Sequence, residues 1–187
     1  NDACRRPAVC SACYDAYSFA GCCQIIEKEN ILKAIKIIDS DMRSRFGVSS
    51  CKIGVCALNP HAGETGTIST EENKAIIPAI KIARKSGIDV TGPLAADSLF
   101  YKVFKSGDFD VIVCMYHDQG LIPLKMASRD DAVNITLGLT FIRTSPAHGT
   151  AFDIAGENSA NPESFKAAIN TAIAMAAYQK CAVLQRK

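Results

Sequence analysis

The residues best suited to chemistry in this chain are its histidines, and there are only three of them. His61, His117 and His148 each lie in a glycine-containing segment that follows an apolar run typical of a β-strand. In an open parallel sheet, ligands bind outside the carboxyl ends of the strands. Because neutral imidazole is the commonest metal ligand, His61 and His117 are a candidate metal pair, with ordinary metal-free histidines as the alternative.

Two acidic residues accompany these histidines. Asp118 directly follows His117, and Asp97 comes shortly after a Gly-Pro pair at 92–93. A carboxylate in such a place serves either as a third metal ligand or as a group that orients a ligating imidazole. Asp97 and Asp118 are therefore candidates for both roles and for proton transfer.

Three further polar residues lie near predicted strand ends. Lys125 and Arg143 could hold a carboxylate or a phosphate, the arginine as a fork and the lysine as a point charge. Solvated surface charges are the alternative for both. Asn134 lies inside an apolar segment, where asparagine is disfavoured in a strand. Its amide needs polar partners, which favours a substrate or loop contact.

The elements that must position these residues alternate between strands and helices. The hydrophobic periodicity predicts helices over 27–46, 70–86, 95–104 and 162–180, and strands over 51–58, 88–91 and 110–115. Short apolar segments follow at 132–136 and 140–142, and residues 144–162 are predicted to form loops around a short helix. Gly92-Pro93 and the His-Asp-Gln-Gly stretch at 117–120 are predicted to be turns. This alternation predicts an α/β fold with a mostly parallel sheet flanked by helices.

Composition excludes several classes of function. The formal net charge is +2, which gives no case for a nucleic acid or an anionic membrane as the main partner. No apolar run is long enough to cross a bilayer, and no signal peptide is visible. The glycine-rich dinucleotide fingerprint, the Walker phosphate loop and the serine nucleophile elbow are all missing from the sequence.

The cysteines are distributed unevenly along the chain. Five of the nine fall within the first 23 residues, including a Cys10–Cys13 pair with the spacing of a zinc or redox site. The odd total and the lack of a signal sequence favour an intracellular, cytoplasmic protein without a disulfide framework. We predict a Cys-rich lead-in over residues 1–23, outside the main fold, and an α/β region over residues 24–187.

Several motifs, taken in order, resemble one family closely. They are LNPHAGE (58–64), GPLAAD (92–97), MYHDQG (115–120), VNITLGL (133–139) and IRTS (142–145). Together they resemble the 4-hydroxythreonine-4-phosphate dehydrogenase family of pyridoxal phosphate (vitamin B6) biosynthesis, from about Glu27 to the C-terminus. The resemblance implies an isopropylmalate dehydrogenase-like fold lacking much of its N-terminal part.

The resemblance also implies an activity. Family members oxidise 4-phosphooxy-L-threonine with NAD and a divalent metal (Zn, Mg or Co), and the resulting β-keto acid loses carbon dioxide to give 3-amino-2-oxopropyl phosphate. They are homodimers with the active site at the interface. The residues matching His61 and His117 are metal ligands, and those matching Lys125, Asn134 and Arg143 contact the phosphorylated substrate.

A last stretch, HGTAFDIAG (148–156) followed by ANP (160–162), resembles the adenosine-binding loop of isocitrate and isopropylmalate dehydrogenases. The resemblance makes His148, Gly149, Asp153 and Asn161 cofactor-binding candidates. An acidic residue at Asp153 would repel a 2′-phosphate, which favours NAD over NADP. The alternative for Asp153 is a carboxylate at a helix start.

One departure opens a second functional hypothesis. Family members are longer on the N-terminal side, where a third metal-ligand histidine lies, and this chain has no fourth histidine. The chain is therefore either a part of such an enzyme or an inactive nucleotide-binding or dimerisation module derived from it. A cysteine-based metal protein using the lead-in is a third, weaker alternative.

Overall fold

The structure is a computed structural model, and it describes residues 8–11, 26–128 and 130–184. The described strands are β1 (Ala8–Ser11), β2 (Ile53–Cys56), β3 (Val90–Leu94), β4 (Val111–Cys114), β5 (Val133–Thr136) and β6 (Arg143–Pro146). The described α-helices are α1 (Lys28–Phe46), α2 (Ile77–Lys85), α3 (Ala96–Ser106), α4 (His117–Ala127) and α5 (Glu163–Leu184).

The chain divides into two compact units. The sheet unit comprises the described residues within 1–39 and 49–123, and the hairpin unit comprises those within 40–48 and 124–187. The first contains β1 to β4, and the second contains β5, β6 and α5.

The sheet unit is built on a parallel sheet with the strand order β1-β4-β2-β3. All residues of β2 and β4 are buried, as expected for central strands covered on both faces. Helix α3 packs Leu99 and Val103 against Ile112 in one core cluster that also includes Cys56 and Cys114. The predicted α/β class and mostly parallel sheet are therefore confirmed.

Most predicted helices of this unit are present, with one local difference. The helix predicted over 70–86 begins with a π-helical turn, Glu72–Ile76, before it continues as α2. Helix α3 ends at a left-handed Gly107, whose N–H donates to the carbonyl of Val103.

The turn predicted at Gly92-Pro93 is wrong, because both residues lie inside β3. Strand β3 is at one end of the described sheet, where a proline removes no necessary ladder bond. Gly92 has φ +149°, and a Cβ atom there would lie 2.6 Å from the carbonyl oxygen of Val55. The position thus needs glycine because β2 passes too close for any side chain.

The loop predicted at 117–120 is also wrong, because helix α4 begins at His117. The side-chain oxygen of Gln119 accepts a hydrogen bond of 2.7 Å from the N–H of Met115, in the connection between β4 and α4. A polar sequence that is typical of a turn therefore forms the first turn of a helix.

The lead-in predicted at residues 1–23 contains a strand. Ala8–Ser11 pairs in parallel with β4, with Ala8 opposite Val111 and Ser11 opposite Cys114. The boundary at residue 23 stays a prediction, and the proposed Cys10–Cys13 metal pair concerns side chains outside the described part of the structure.

The hairpin unit consists of an antiparallel β5–β6 pair covered by α5. Asn134 lies opposite Ser145, and Thr136 lies opposite Arg143. The second strand starts at Arg143, later than the apolar segment at 140–142 that suggested it. Helix α5 buries Ala168 and Met175, and its Ser164 hydroxyl donates to the carbonyl of Ala132 at 2.6 Å.

A buried ion pair holds the connection between β5 and β6. Asp41 Oδ2 lies 3.4 Å from Arg45 Nε and accepts a 2.8 Å hydrogen bond from the N–H of Gly138. The Arg45 guanidinium also donates to the carbonyl oxygens of Leu139 and Phe141. Because both charges are paired and bonded to main chain, their burial is tolerated.

A search of the described residues for a helix with the length and apolar character needed to span a bilayer finds none.

Candidate active site

Three predicted site residues follow three neighbouring strands. His117 follows β4, the loop of His61 follows β2, and Asp97 lies in the first turn of α3 after β3. The strands are adjacent and parallel, in the order β4-β2-β3. The structure therefore brings these residues to the same carboxyl edge of one sheet, which is the usual ligand-binding edge of an open α/β sheet.

The loop that carries His61 has an unusual backbone. His61, Ala62, Gly63, Glu64 and Thr65 all have positive φ angles, between 43° and 73°. A left-handed conformation costs roughly 1–2 kcal/mol for each residue other than glycine. Backbone strain of this kind persists only where the surroundings enforce it, and it concentrates at functional sites. The observed strain supports a functional role for the His61 loop, which we define as residues 59–66.

Side chains from the following helical turn contact this loop. Glu72, which is 1% exposed, accepts hydrogen bonds from the main-chain N–H of Asn59 at 2.8 Å and from its side-chain amide at 3.0 Å. The same amide donates to Glu71 at 3.1 Å, and the Ser69 hydroxyl also donates to Glu71. The bond from Ser69, aided by main-chain N–H groups, holds the pKa of Glu71 below its usual range.

His117 and Asp118 form an adjacent pair at the start of α4. The Nδ1 atom of His117 lies 2.7 Å from Oδ1 of Asp118. The two side chains are 64% and 71% exposed, so solvent reaches the pair directly. If Nδ1 carries the proton, the carboxylate leaves Nε2 as the metal-binding or proton-accepting atom of the imidazole.

A buried amide links the two strand ends that carry these histidines. Gln119 accepts from the N–H of Met115, just after β4, and donates to the carbonyl of Ala57, just after β2, at 2.7 Å. It is 7% exposed. Its two bonds fix the ends of β4 and β2 relative to one another, which positions the segments of His117 and His61.

Asp97 borders a shallow, open depression of about 310 Å³ that is also lined by Ser98, Tyr101 and Lys102. Its carboxylate is exposed in the first turn of α3. An acidic residue there interacts favourably with the helix dipole, so its position has a structural explanation as well as a catalytic one.

The predicted substrate-binding residues belong to the hairpin unit. Lys125 lies in the last turn of α4 rather than beyond a strand end, and its side chain is exposed. Asn134 in β5 and Arg143 in β6 are exposed on an antiparallel hairpin rather than at the edge of the parallel sheet. Arg143 donates to the Thr136 hydroxyl at 2.7 Å, across the hairpin.

The predicted cofactor-binding residues lie in one exposed segment of the same unit, which we define as the 148–161 segment. His148 Nδ1 lies 2.9 Å from the carbonyl oxygen of Gly149, and Asp153 lies in a short 3-10 turn, Phe152–Ile154. The Asn161 amide donates to Asp130 at 3.1 Å, and its oxygen accepts from the N–H of Glu163 at the start of α5. Asn161 therefore has a helix-capping role.

The sequence did not reveal the residues whose hydrogen bonds fix the segments that carry His61 and His117. Asn59, Glu72 and Gln119 were not predicted, although Asn59 and Gln119 lie inside the motifs that suggested the site. The sequence places Glu71 and Glu72 together in the first turn of a predicted helix that follows the glycine-containing loop. Nothing in the sequence distinguished the buried Glu72 from its neighbour Glu71.

The donor chemistry of the sheet edge fits a divalent metal only in part. His61 and His117 are suitable ligands that follow adjacent strands. Within the described residues, however, no group of three or more His, Cys, Asp or Glu side chains is arranged to hold a metal ion. The described part of the chain thus offers a pair of imidazoles rather than a complete ligand set.

Comparison with known proteins places the chain in a family. The sequence profile of the family described as "Pyridoxal phosphate biosynthetic protein PdxA" matches residues 15–172. This chain belongs to the PdxA family. The predicted resemblance is therefore confirmed, and the profile match begins within the predicted lead-in.

Individual relatives agree with the profile. The chain is 53% identical over 152 residues to a 4-hydroxythreonine-4-phosphate dehydrogenase from Bradyrhizobium diazoefficiens, a match that covers 81% of this chain and 44% of the relative. It superposes with a TM-score of 0.79 and 39% identity on the 4-hydroxythreonine-4-phosphate dehydrogenase of Klebsiella pneumoniae, covering 93% of this chain and 51% of that one.

A more distant structure has the same fold with a different name. A terephthalate 1,2-cis-dihydrodiol dehydrogenase from Burkholderia xenovorans has a TM-score of 0.71 and 28% identity, over 90% of this chain and 53% of that one. The α/β fold predicted from the sequence, a parallel sheet flanked by helices, is thus shared with these dehydrogenase structures. The chain spans about half the length of the relatives it matches.

Proposed function

We propose that this chain provides one part of a 4-hydroxythreonine-4-phosphate dehydrogenase. The observation that carries the proposal is the placement of His61, His117 and Asp97 after three adjacent parallel strands in a member of the PdxA family. The relatives that are about half identical to the chain over the matched residues are named for this activity, whereas the dihydrodiol dehydrogenase is less similar.

His61 and His117 would supply two ligands of a divalent metal, zinc, magnesium or cobalt. The metal would act as a Lewis acid, which lowers the pKa of a substrate hydroxyl and stabilises negative charge during decarboxylation. Asp118 holds the His117 ring through Nδ1. Asp97 and Asp118 are our candidates for proton transfer, since both are exposed carboxylates at the same edge of the sheet.

Lys125, Asn134 and Arg143 would bind the phosphate and the polar groups of 4-phosphooxy-L-threonine. All three side chains are exposed. Arg143 can contribute a planar fork of donors, Lys125 a compact charge, and Asn134 an amide that both donates and accepts. Such a set suits a small, anionic, phosphorylated amino acid.

The 148–161 segment would bind NAD as the oxidant. Asp153 would accept hydrogen bonds from the ribose hydroxyls and would repel the 2′-phosphate of NADP. His148 and Asn161 would flank the adenine, with Gly149 allowing the backbone to approach it. Asn161 would have to do this while its amide oxygen accepts from Glu163 N–H.

We further propose a homodimer with the active site at its interface, and a cytoplasmic location. Membership of the PdxA family supports the dimer, which the resemblance of the motifs implies. The pair of imidazoles without a third ligand among the described residues favours the second candidate, an inactive nucleotide-binding or dimerisation module that has kept the 148–161 segment.

The deciding test is NADH formation from 4-phosphooxy-L-threonine with added Zn²⁺, Mg²⁺ or Co²⁺. The dehydrogenase proposal predicts turnover that His117→Ala reduces by at least about 100-fold, since a lost metal ligand removes Lewis-acid assistance. Lys85→Ala, an exposed change in the last turn of α2 and outside every proposed site, is the control and should retain activity. Measurable NAD binding without any turnover would instead support the inactive module.

A further inference from the structure

A buried carboxylate lies beneath the His61 loop, and the proposed mechanism does not use it. Glu72 is 1% exposed and accepts hydrogen bonds from Asn59, the first residue of the loop. These bonds span 13 residues of sequence and join the end of β2 to the π-helical turn before α2. A carboxylate is buried at a large cost unless donors surround it, so these contacts define its place.

Glu72 also determines the space available to the loop. A Cβ atom on Gly63 would lie 2.7 Å from Oε2 of Glu72 and 3.0 Å from the carbonyl oxygen of Ser69. Gly63 is itself buried and has φ +73°. The loop therefore packs directly on the carboxylate at its middle residue and is bonded to it at its first residue.

The left-handed run needs such a support. Four residues other than glycine, His61, Ala62, Glu64 and Thr65, have positive φ angles. The closing bonds of the turn, from Thr67 N–H to Glu64 and from Ile68 N–H to Gly63, are ordinary main-chain bonds of 3.1 and 3.2 Å. These two bonds close the end of the loop, but they do not explain why its first residues adopt the left-handed backbone conformation.

We infer that Glu72 is the positioning residue for His61: it holds the His61 loop in its left-handed form and so sets the location of the imidazole at the sheet edge. Glu71, its neighbour, contacts the Asn59 side chain but accepts no bond from the Asn59 main chain in the described structure. The functional consequence rests on the proposed role of His61 as a metal ligand, whereas the structural consequence does not.

The test compares Glu72→Gln and Glu72→Ala with the matched control Glu71→Gln in the full chain. The first measurement is the intraresidue NOE between amide and α protons at residues 61, 62, 64 and 65. This NOE is strong at positive φ because the two protons are close together. The expected result is a weakened NOE in both Glu72 variants, more so in the alanine variant, and an unchanged NOE in Glu71→Gln.

The second measurement is Zn²⁺ affinity by calorimetry, with His61→Ala as the reference for a lost ligand. Glu72→Gln should weaken zinc binding about tenfold or more, since it alters a charge-assisted hydrogen bond. Glu71→Gln should change the affinity by less than about threefold. If Glu72→Ala fails to fold, Glu72→Gln carries both measurements.

The two measurements test the role of Glu72 and the metal role of His61 independently. Strong NOEs at all four positions in folded Glu72→Gln would overturn the inference, whatever the zinc affinity. Wild-type zinc binding no tighter than that of His61→Ala would overturn the proposed metal role and leave the NOE comparison to decide the role of Glu72.

Discussion

The His61 loop and the 148–161 segment are both glycine-containing site loops, but they are held in different ways. The first is bonded to a buried carboxylate and has a buried residue, Gly63, at its centre. The second is almost wholly exposed, and Phe152 within it is 82% exposed. Its described bonds are mostly local, such as Ile154 N–H to the carbonyl of Ala151 at 3.2 Å.

This difference suits the roles that we propose for the two loops, metal binding by the first and dinucleotide binding by the second. A metal ligand must be held in place, because a small displacement of one imidazole lowers the affinity of the whole site. A dinucleotide contacts a longer stretch of chain, and a loop with few internal contacts can order around it. Under the roles that we propose, buried contacts of the chain would position the metal ligand in the His61 loop, whereas the exposed 148–161 segment would take its form around the dinucleotide.

The largest expected effect comes from placing a methyl group at the centre of each loop. Gly63→Ala puts a Cβ atom 2.7 Å from Glu72 Oε2 at φ +73°, so we expect a loss of about 2–4 kcal/mol of unfolding free energy. Gly156→Ala has a similar φ of +87° but nothing within 4 Å, so only the backbone cost of about 1–2 kcal/mol applies. Chemical denaturation of both variants measures the difference, and equal losses would refute the contrast.

A smaller effect tests the end of the exposed segment. Asn161→Ala removes the oxygen that accepts from Glu163 N–H at the start of α5, and we expect a loss of about 1 kcal/mol. Asn161→Asp keeps an accepting oxygen and serves as the control, although it places a second carboxylate near Asp130. Urea melts of the two variants should therefore differ, with the alanine variant lower. An alanine variant as stable as the wild type would show that the cap contributes nothing.

The sequence predicted the sheet unit better than the residues that support its site. The apolar run at 111–115 and the helix pattern over 27–46 were sufficient, because hydrophobic periodicity reports which residues are buried. The two turn predictions, at Gly92-Pro93 and at 117–120, failed because these turn-forming residues lie in a strand and in a helix. In both places a specific tertiary contact, the approach of Val55 or the bond from Gln119 to the carbonyl of Ala57, outweighs local preference.

The same limit applies to the candidate site. His61, His117 and Asp97 were predictable because a parallel sheet brings strand ends together, so position along the chain implies position in space. Glu72 and Gln119 were not, since a buried carboxylate and a buried amide look like surface residues in a sequence. The hairpin unit was predicted least well, because short β-strands carry little periodic signal.

The smallest effect concerns the pH dependence of the His61 loop. Hydrogen bonding from Ser69 lowers the pKa of Glu71 in the folded chain, so the folded state binds that proton less readily than the unfolded state. The stabilisation is therefore fully present above the ordinary glutamate pKa and is lost as the pH falls through the lowered value. Ser69→Ala should raise the pKa of Glu71 and reduce this loss, measured as a smaller drop in unfolding free energy on acidification.

Glu71 is half-buried, so solvent still screens its charge in part, and the change in Ser69→Ala should be a fraction of a kcal/mol. Ser159→Ala, which replaces an exposed serine of the 148–161 segment, is the control. It should not change the drop in unfolding free energy on acidification. If both variants show the wild-type acid response, the bond from Ser69 makes no energetic contribution to the loop. Glu72 would then remain as the internal support that distinguishes the His61 loop from the exposed segment.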